Sequence, residues 1–241
     1  MRVAVISDVH ANFYALEAVR EAISHEQVDE VWCLGDIVGY GPRPNECCAA
    51  VAEWCTLSLS GNHDQAAIGL LPLEEFSPIA AAAAGWTREQ LDSRSREYLA
   101  NLAPLSHVRG CELFHGSPRE PVWDYVFSAT AIDATFALTV EPLVLVGHTH
   151  FALAASLDDH LFGGLAPAGT TIEFGHDRWL VNPGSVGQPR DGDPRAAYLL
   201  LDLDAGRAEF ARVEYAVERT QAEMRDLALP EQLVARLCRG I

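Results

Sequence analysis

Five short apolar runs in the first 150 residues each stop on a residue able to bind a cation. "VAVIS" ends in Asp8-Val9-His10, "VWCLG" in Asp36, and "LSLSG" in Asn62-His63-Asp64. "ELF" ends in His115-Gly116 and "LVLVG" in His148-Thr149-His150. Runs of this length and composition predict buried strands. Between them lie stretches with apolar residues at helical spacing. These are "NFYALEAVREAISHE", "NECCAAVAEW" with Asn45 as the expected cap, a long segment from Ser77 to Leu102 with a break expected around Gly85, and "ATAIDATFALT". Strand–helix alternation predicts a parallel sheet covered by helices. The C-terminal strand ends of such a sheet share one edge, where ligands bind. The five polar ends are therefore expected to meet in space.

What would meet there is two carboxylates, one amide oxygen and four or five imidazoles. Left unpaired, such a cluster is unfavourable, because buried carboxylates repel and imidazoles compete for protons. Divalent cations resolve the conflict. About eight oxygen and nitrogen donors are too many for one tetrahedral zinc and suit two open sites. Cysteine is missing from the set, which argues against a structural zinc knot. The nitrogen content is unlike an all-oxygen magnesium or calcium cage. Manganese, iron, zinc or nickel fits, with manganese favoured.

Asp8-x-His10, Gly35-Asp36, Gly61-Asn62-His63-Asp64, His115-Gly116 and Gly147-His148-Thr149-His150, in this order, resemble the motif series of the calcineurin-like metallophosphoesterases. The resemblance runs from Met1 to about Leu200. "DIVGYGPRPNE" and "NPGSVGQPRDG" are similar to the compact bacterial and archaeal phosphodiesterase branch, some of whose members cleave dinucleoside polyphosphates. The resemblance implies an α/β fold, a two-sheet β-sandwich flanked by helices in four layers, α-β-β-α. It implies one metal held by Asp8, His10, Asp36 and His150, and a second held by Asp36, Asn62, His115 and His148, with Asp36 bridging. It implies metal-activated hydroxide as nucleophile on a small phosphodiester or nucleotide polyphosphate. His63 would donate a hydrogen bond or proton to the phosphate or the leaving oxygen, and Asp64 would orient the loop or that imidazole.

Other polar residues near the motifs have two readings each. Asn12 could touch phosphate or cap the helix starting at Phe13. Arg190 could clamp a phosphate or pair with Asp191 or Asp193. Arg119, Trp123 and Tyr125 could line a substrate cleft, with Trp123 stacking on a base, or belong to a packed loop. "GYGP" at 39–42 reads as a tight turn rather than a dinucleotide fingerprint. His25, His107, His160 and His176 match no motif and receive no role.

After His150 the texture changes. "FALAAS", "TTIEF", "RWLVN" and "AAYLLLDL" read as strands separated by Gly, Pro and Asp turns, predicting a mainly antiparallel second sheet before a final helix from Thr220 to Leu237. No linker, repeat or low-complexity segment divides the chain, so one domain over residues 1–241 is expected. The six cysteines form no C-x-x-C and read as reduced core thiols. The apolar run before Ser7 is too short for a signal-peptide core, and no stretch reaches the roughly 18 apolar residues of a membrane span. A cytoplasmic protein, monomer or homodimer, is expected.

The chain holds 17 Lys+Arg against 34 Asp+Glu, a net charge of −17. That field repels nucleic acid and anionic membrane, so neither partner is expected and a nuclease is disfavoured. Bound cations would reverse the sign locally and admit a phosphate ester. The alternative of another class is a catalytically silent scaffold on the same fold. Completeness of the metal-binding set speaks against it.

Overall fold

Both faces of the first strand are apolar, and this dictates layers on each side of it. In β1 (Arg2–Ile6), Val3 and Val5 face one way and Ala4 and Ile6 the other, and all four are fully buried. A computed structural model describes residues 1–157, 161–174 and 177–241; His160 and His176 lie outside the described residues. The chain continues through α1 (Phe13–Ser24), β2 (Glu30–Cys33), α2 (Pro44–Trp54), β3 (Leu57–Ser58), α3 (Asn62–Ile68), α4 (Pro78–Gln90), α5 (Ser93–Ala100), β4 (Leu105–Val108), β5 (Cys111–Phe114), α6 (Ala129–Leu138) and β6 (Leu143–Leu145). It then forms β7 (Ala152–Leu157), β8 (Leu161–Leu165), β9 (Thr171–Glu173), β10 (Arg178–Pro183), β11 (Ala196–Asp202), β12 (Arg207–Val213), α7 (Val217–Asp226) and α8 (Glu231–Leu237).

Two six-stranded sheets result, ordered β3-β2-β1-β11-β12-β9 and β4-β5-β6-β10-β7-β8. Val3, Val5, Trp32, Leu34, Leu113, Leu145, Val181, Leu199 and Phe210 meet between them. Each fully buried aliphatic or Phe side chain there stabilises the sandwich by roughly 1.5–3 kcal/mol. Ala4 and Ile6 pack outward against Leu16, Val19, Cys47 and Val51 of α1 and α2. Val144 and Val146 pack outward against Ile132 and Phe136 of α6. The order helix, sheet, sheet, helix is the four-layer arrangement expected.

The assignment of the two chain halves to separate sheets is corrected. β1, β2 and β3 run parallel, but β11 inserts beside β1 antiparallel in the same sheet. In the other sheet β10 pairs parallel with β6 and antiparallel with β7. Both sheets are mixed. Local texture reports whether a strand is buried, not which distant strand it joins.

Several boundaries also move. Pro44 occupies the first turn of α2, with Arg43 at the cap position. Asn45 instead donates to Gln90 O and accepts from Asp92 N–H, both at 2.9 Å. Gly85 lies inside α4; the break falls at Leu91, and Asp92 caps α5 by accepting Ser95 N–H at 2.7 Å. The final helix is two, α7 and α8, interrupted ahead of Pro230. Cys238 is exposed, unlike the core thiol expected, while Cys33, Cys47, Cys48 and Cys111 are buried and free. Among the described residues no helix is long and apolar enough to cross a membrane.

Candidate metal centre

The strand exits are tied together by backbone before any side chain is considered. Asp8 N–H donates to Gly35 O at 3.0 Å, His10 N–H to Asp36 O at 2.9 Å and Ala11 N–H to Ile37 O at 2.9 Å. The exits of β1 and β2 are thus laced edge to edge. Asp8, His10, Asp36, His148 and His150 all adopt left-handed backbone, with φ between 49° and 64°. Such conformations cost of order 1–3 kcal/mol each in non-glycine residues and gather at functional sites. They curl the chain over the sheet edge and turn successive side chains inward. A side chain at Gly61 would overlap the Asp36 carboxylate, so α3 can begin this close only from glycine.

Five of the seven metal-binding residues expected from sequence come from loops after β1, β2 and β6, His115 from the end of β5, and Asn62 from the start of α3. All seven are buried. Asp8, His10, Asp36 and His150 form one group whose donor atoms lie within 4.8 Å of one another; Asp36, His115 and His148 form a second. Asp36 belongs to both. Its Oδ2 lies 3.6 Å from His10 Nε2 and 3.5 Å from His115 Nε2. Asp8 Oδ1 lies 3.4 Å from His150 Nε2.

Three imidazoles are fixed by carbonyls at the back of the ring. Nδ1 of His10 donates to Val38 O at 3.2 Å, that of His115 to Leu34 O at 2.9 Å and that of His150 to Gln188 O at 2.6 Å. Each then presents an Nε2 lone pair to the cluster. The Nε2 atoms of His10 and His150 face each other at 3.0 Å. With both Nδ1 atoms protonated, two lone pairs confront one another. Asp8 Oδ1, Asp36 Oδ2, Asn62 Oδ1, His115 Nε2 and His148 Nε2 are buried without a hydrogen-bond partner. Orphaned acceptors at this density are costly unless a cation serves them. The donor set fits divalent metal.

Burial dominates the electrostatics of the cluster, with His115 the exception. Burial pushes His10 and His150 well below the usual imidazole range. Burial lowers His63 to about 4, and burial with the His115 charge lowers His148 to about 3. Burial works against a charged His115 too, but the Asp36 and Asp8 carboxylates outweigh it and raise its pKa. Burial raises Asp8 and Asp64, while His115, His63 and His10 hold Asp36 well below the carboxylate range against its own burial.

A pH dependence follows. Four histidines have folded pKa values below the unfolded value near 6.5. As pH falls below that value the unfolded chain takes up protons that the folded chain refuses. The stability they confer is present above about 6.5 and lost as pH falls toward the folded values. Asp8 and Asp64, raised by burial, act in the opposite sense, but four imidazoles outweigh two carboxyls. Chelated protein is expected to lose roughly 2 kcal/mol per pH unit between pH 6 and 5. Thermal melts across that interval check it, and a flat profile contradicts neutral burial of the imidazoles.

Residues 1–206 match the sequence profile of the calcineurin-like phosphoesterase superfamily domain. The chain belongs to that superfamily. It is a metal-dependent phosphoesterase, a hydrolase of phosphoric ester bonds, and the family acts on small phosphate esters. It is similar to a metallophosphoesterase from Sphaerobacter thermophilus, with 45% identity, a TM-score of 0.92, and 100% of this chain and 99% of that one covered. It is 35% identical to the uncharacterized protein MJ0912 of Methanocaldococcus jannaschii, over 99% of this chain and 98% of that protein. The fold is also that of hypothetical protein PH1004 from Pyrococcus horikoshii OT3, at 22% identity and a TM-score of 0.79, covering 100% and 98%.

Around the phosphoesterase's candidate metal ligands, the remaining residues separate. His63 sits beside the cluster, its ring centroid 5.0 Å from that of His10, 4.3 Å from that of Tyr40 and 5.2 Å from that of Phe76. Its Nδ1 is buried and unpartnered. Asp64 Oδ1 accepts Val38 N–H and its Oδ2 accepts Gly61 N–H, both at 3.0 Å, which ties the two loops together. Asn12 is corrected as a substrate contact. Its Oδ1 accepts Ala15 N–H and the Thr220 hydroxyl while its Nδ2 donates to Gly187 O, which makes it a helix cap and a tie to α7. Arg119 is corrected too, being exposed and paired with Asp124 at 2.8 Å. Trp123 packs on Phe76 with ring centroids 4.9 Å apart, at one remove from His63.

Arg190 stays near the centre. Asp191 is taken by Arg212 and Asp193 by Arg195, so neither pairs with it. Tyr125 stacks on His148 with ring centroids 4.1 Å apart. Sequence reading missed Gln188, whose carbonyl fixes His150, and Arg236 on α8, whose Nη1 donates to Gln188 Oε1 at 3.4 Å. Gln188 lies in the quoted "NPGSVGQPRDG", which was a usable signal. An arginine in a C-terminal amphipathic helix offered none.

Proposed function

We propose that residues 1–241 form one catalytic domain that hydrolyses a small phosphodiester or nucleotide polyphosphate, such as a dinucleoside polyphosphate, in the cytoplasm with two divalent ions, manganese favoured. One observation carries this reading: six buried carboxylates and imidazoles from the strand ends of both sheets gather into two adjoining groups, and several have no partner of their own. Asp8, His10, Asp36 and His150 would hold one ion; Asp36, Asn62, His115 and His148 the other. Ions bound there acidify water and neutralise phosphoryl charge.

The protein's own groups supply the rest. Val38, Leu34 and Gln188 carbonyls keep three imidazoles in the tautomer that offers Nε2. His63, whose pKa burial lowers to about 4, is neutral at pH 7 and donates a ring N–H hydrogen bond to a phosphoryl or departing oxygen. The Tyr40 and Phe76 rings wall that imidazole and exclude water from one side. Trp123 supplies an apolar face further out. The complete donor set favours turnover over a silent scaffold.

The test pairs metal analysis with kinetics. Protein purified without chelator is expected to hold close to two metals per chain by mass spectrometry and to cleave bis-(p-nitrophenyl) phosphate with Mn²⁺ stimulation. Folded protein with neither metal nor turnover would establish the scaffold instead.

A further inference from the structure

Gln188 binds two arginines with one oxygen. Its Oε1 accepts Arg190 Nη2 at 2.9 Å and Arg236 Nη1 at 3.4 Å. Its backbone is already anchored, the carbonyl accepting His150 Nδ1 and the N–H donating to Ser185 Oγ at 2.8 Å. Gln188 is 1% exposed. One buried amide therefore fixes a pair of guanidinium groups to a residue of the metal centre.

Acidic residues outnumber basic ones 34 to 17, yet among the described residues neither Arg190 nor Arg236 has a carboxylate partner, because Asp191 is taken by Arg212 and Asp193 by Arg195. Arg190 Nε is buried with no hydrogen-bond partner. Two cations converging without an anion repel each other, and burial together with Arg190 lowers the pKa of Arg236. Two guanidinium forks held by one amide oxygen set planar N–H donors side by side, a geometry suited to an oxyanion.

The location says which anion. The Arg190 guanidinium lies 5.8 Å from the Tyr40 ring centroid, and it neighbours the hydroxyls of both Tyr40 and Tyr125. Tyr40 leans on His10 and His63, and Tyr125 on His148. Arg190 thus borders the tyrosines that pack on both groups of candidate ligands, and Arg236 shares its Gln188 contact.

We propose that Arg190 and Arg236 form an anion subsite for a second phosphoryl group, so that preferred substrates carry a phosphate chain rather than an isolated ester phosphate. The inference rests on the phosphoesterase reading of the adjoining centre. In the reaction a water oxygen bonds to the scissile phosphorus and the P–O bond to the second phosphate breaks. The departing phosphate keeps the electron pair as an oxyanion neutralised by the guanidinium pair, and the water's proton passes to solvent. Guanidinium forks suit this because they accept a phosphate bidentately and stay charged at any working pH.

Two measurements at fixed free Mn²⁺ decide it. The first is kcat/KM for diadenosine tetraphosphate relative to bis-(p-nitrophenyl) phosphate. The second is the calorimetric Kd of methylenediphosphonate, a non-hydrolysable two-phosphorus probe, relative to inorganic phosphate. Wild type is expected to favour the phosphate chain in both. Arg236→Gln is expected to shrink each preference about tenfold, since a hydrogen bond to a charged group contributes roughly 1.5–3 kcal/mol, and Arg236→Lys to recover part of it. Wild type with no preference overturns the subsite without further variants. A fall of equal size for both substrates also overturns it, because that is what loss of Gln188 and His150 positioning alone produces. Failure of the phosphoesterase reading is separate: neither substrate would turn over.

Discussion

Asp36→Asn is expected to lower kcat on the order of 10³-fold or more, with metal content falling alongside. The carboxylate is the one side chain common to both groups of metal-binding residues, with Oδ2 3.6 Å from His10 Nε2 and 3.5 Å from His115 Nε2. Several kcal/mol of charge stabilisation depend on ions held there, and each 1.4 kcal/mol is about a factor of ten in rate. Asparagine keeps the volume and the acceptor. Oδ1, which takes the His63 N–H at 2.9 Å, should still anchor the start of α3. The substitution therefore removes charge with little change of shape. Kinetics with Mn²⁺, metal quantification and a circular dichroism melt separate the effects. Turnover within tenfold of wild type at full metal content would falsify the shared role of Asp36.

His63→Gln is expected to lower kcat by about 10²–10³-fold while metal content stays at the wild-type level, with KM nearly unchanged. His63 belongs to neither group of metal-binding residues. Its ring lies instead among His10, Tyr40 and Phe76, with Nδ1 unpartnered. Loss of a positioned donor or acid costs this much in many enzymes. The split between metal content and rate is the decisive observation. Metal lost together with rate would place His63 among the ligands; a raised KM with kcat intact would make it a binding group only.

The five polar strand ends were legible because each joins a local signal, a buried run, to a chemically distinctive stop. Their convergence was expected at the edge of one parallel sheet; the structure instead brings six of the seven residues together from the strand ends of two sheets. Sheet membership was not legible. The pairing of β1 with β11 joins Arg2 to Asp202, and nothing near either residue encodes the other. Gly85 misled because it lies mid-helix with only Leu73 near its missing Cβ, at 3.6 Å, whereas Asp92 supplied the cap that ends one helix and starts the next. Asn12 and Arg119 show the limit of proximity in sequence. A polar group two residues from a metal-binding residue can be fully occupied by backbone, as Asn12 is, and one four residues away can point to solvent and pair with Asp124. Arg236 was hidden for the converse reason, since only the docking of α8 brings it beside Gln188.

The mixing of early and late strands in each sheet bears on how the enzyme is made. Asp8 and Asp36 leave the ribosome early, yet β1, which leads into Asp8, lacks one neighbour until β11 has been synthesised. Gln188, which sets the His150 tautomer, precedes β11 by only a few residues. The nascent chain thus carries carboxylates and imidazoles in quantity but no assembled cation trap until about four-fifths of it has emerged. Long-range pairings of this kind form late and slowly. The cluster of candidate ligands is therefore a property of the finished fold rather than of any segment of the growing polypeptide.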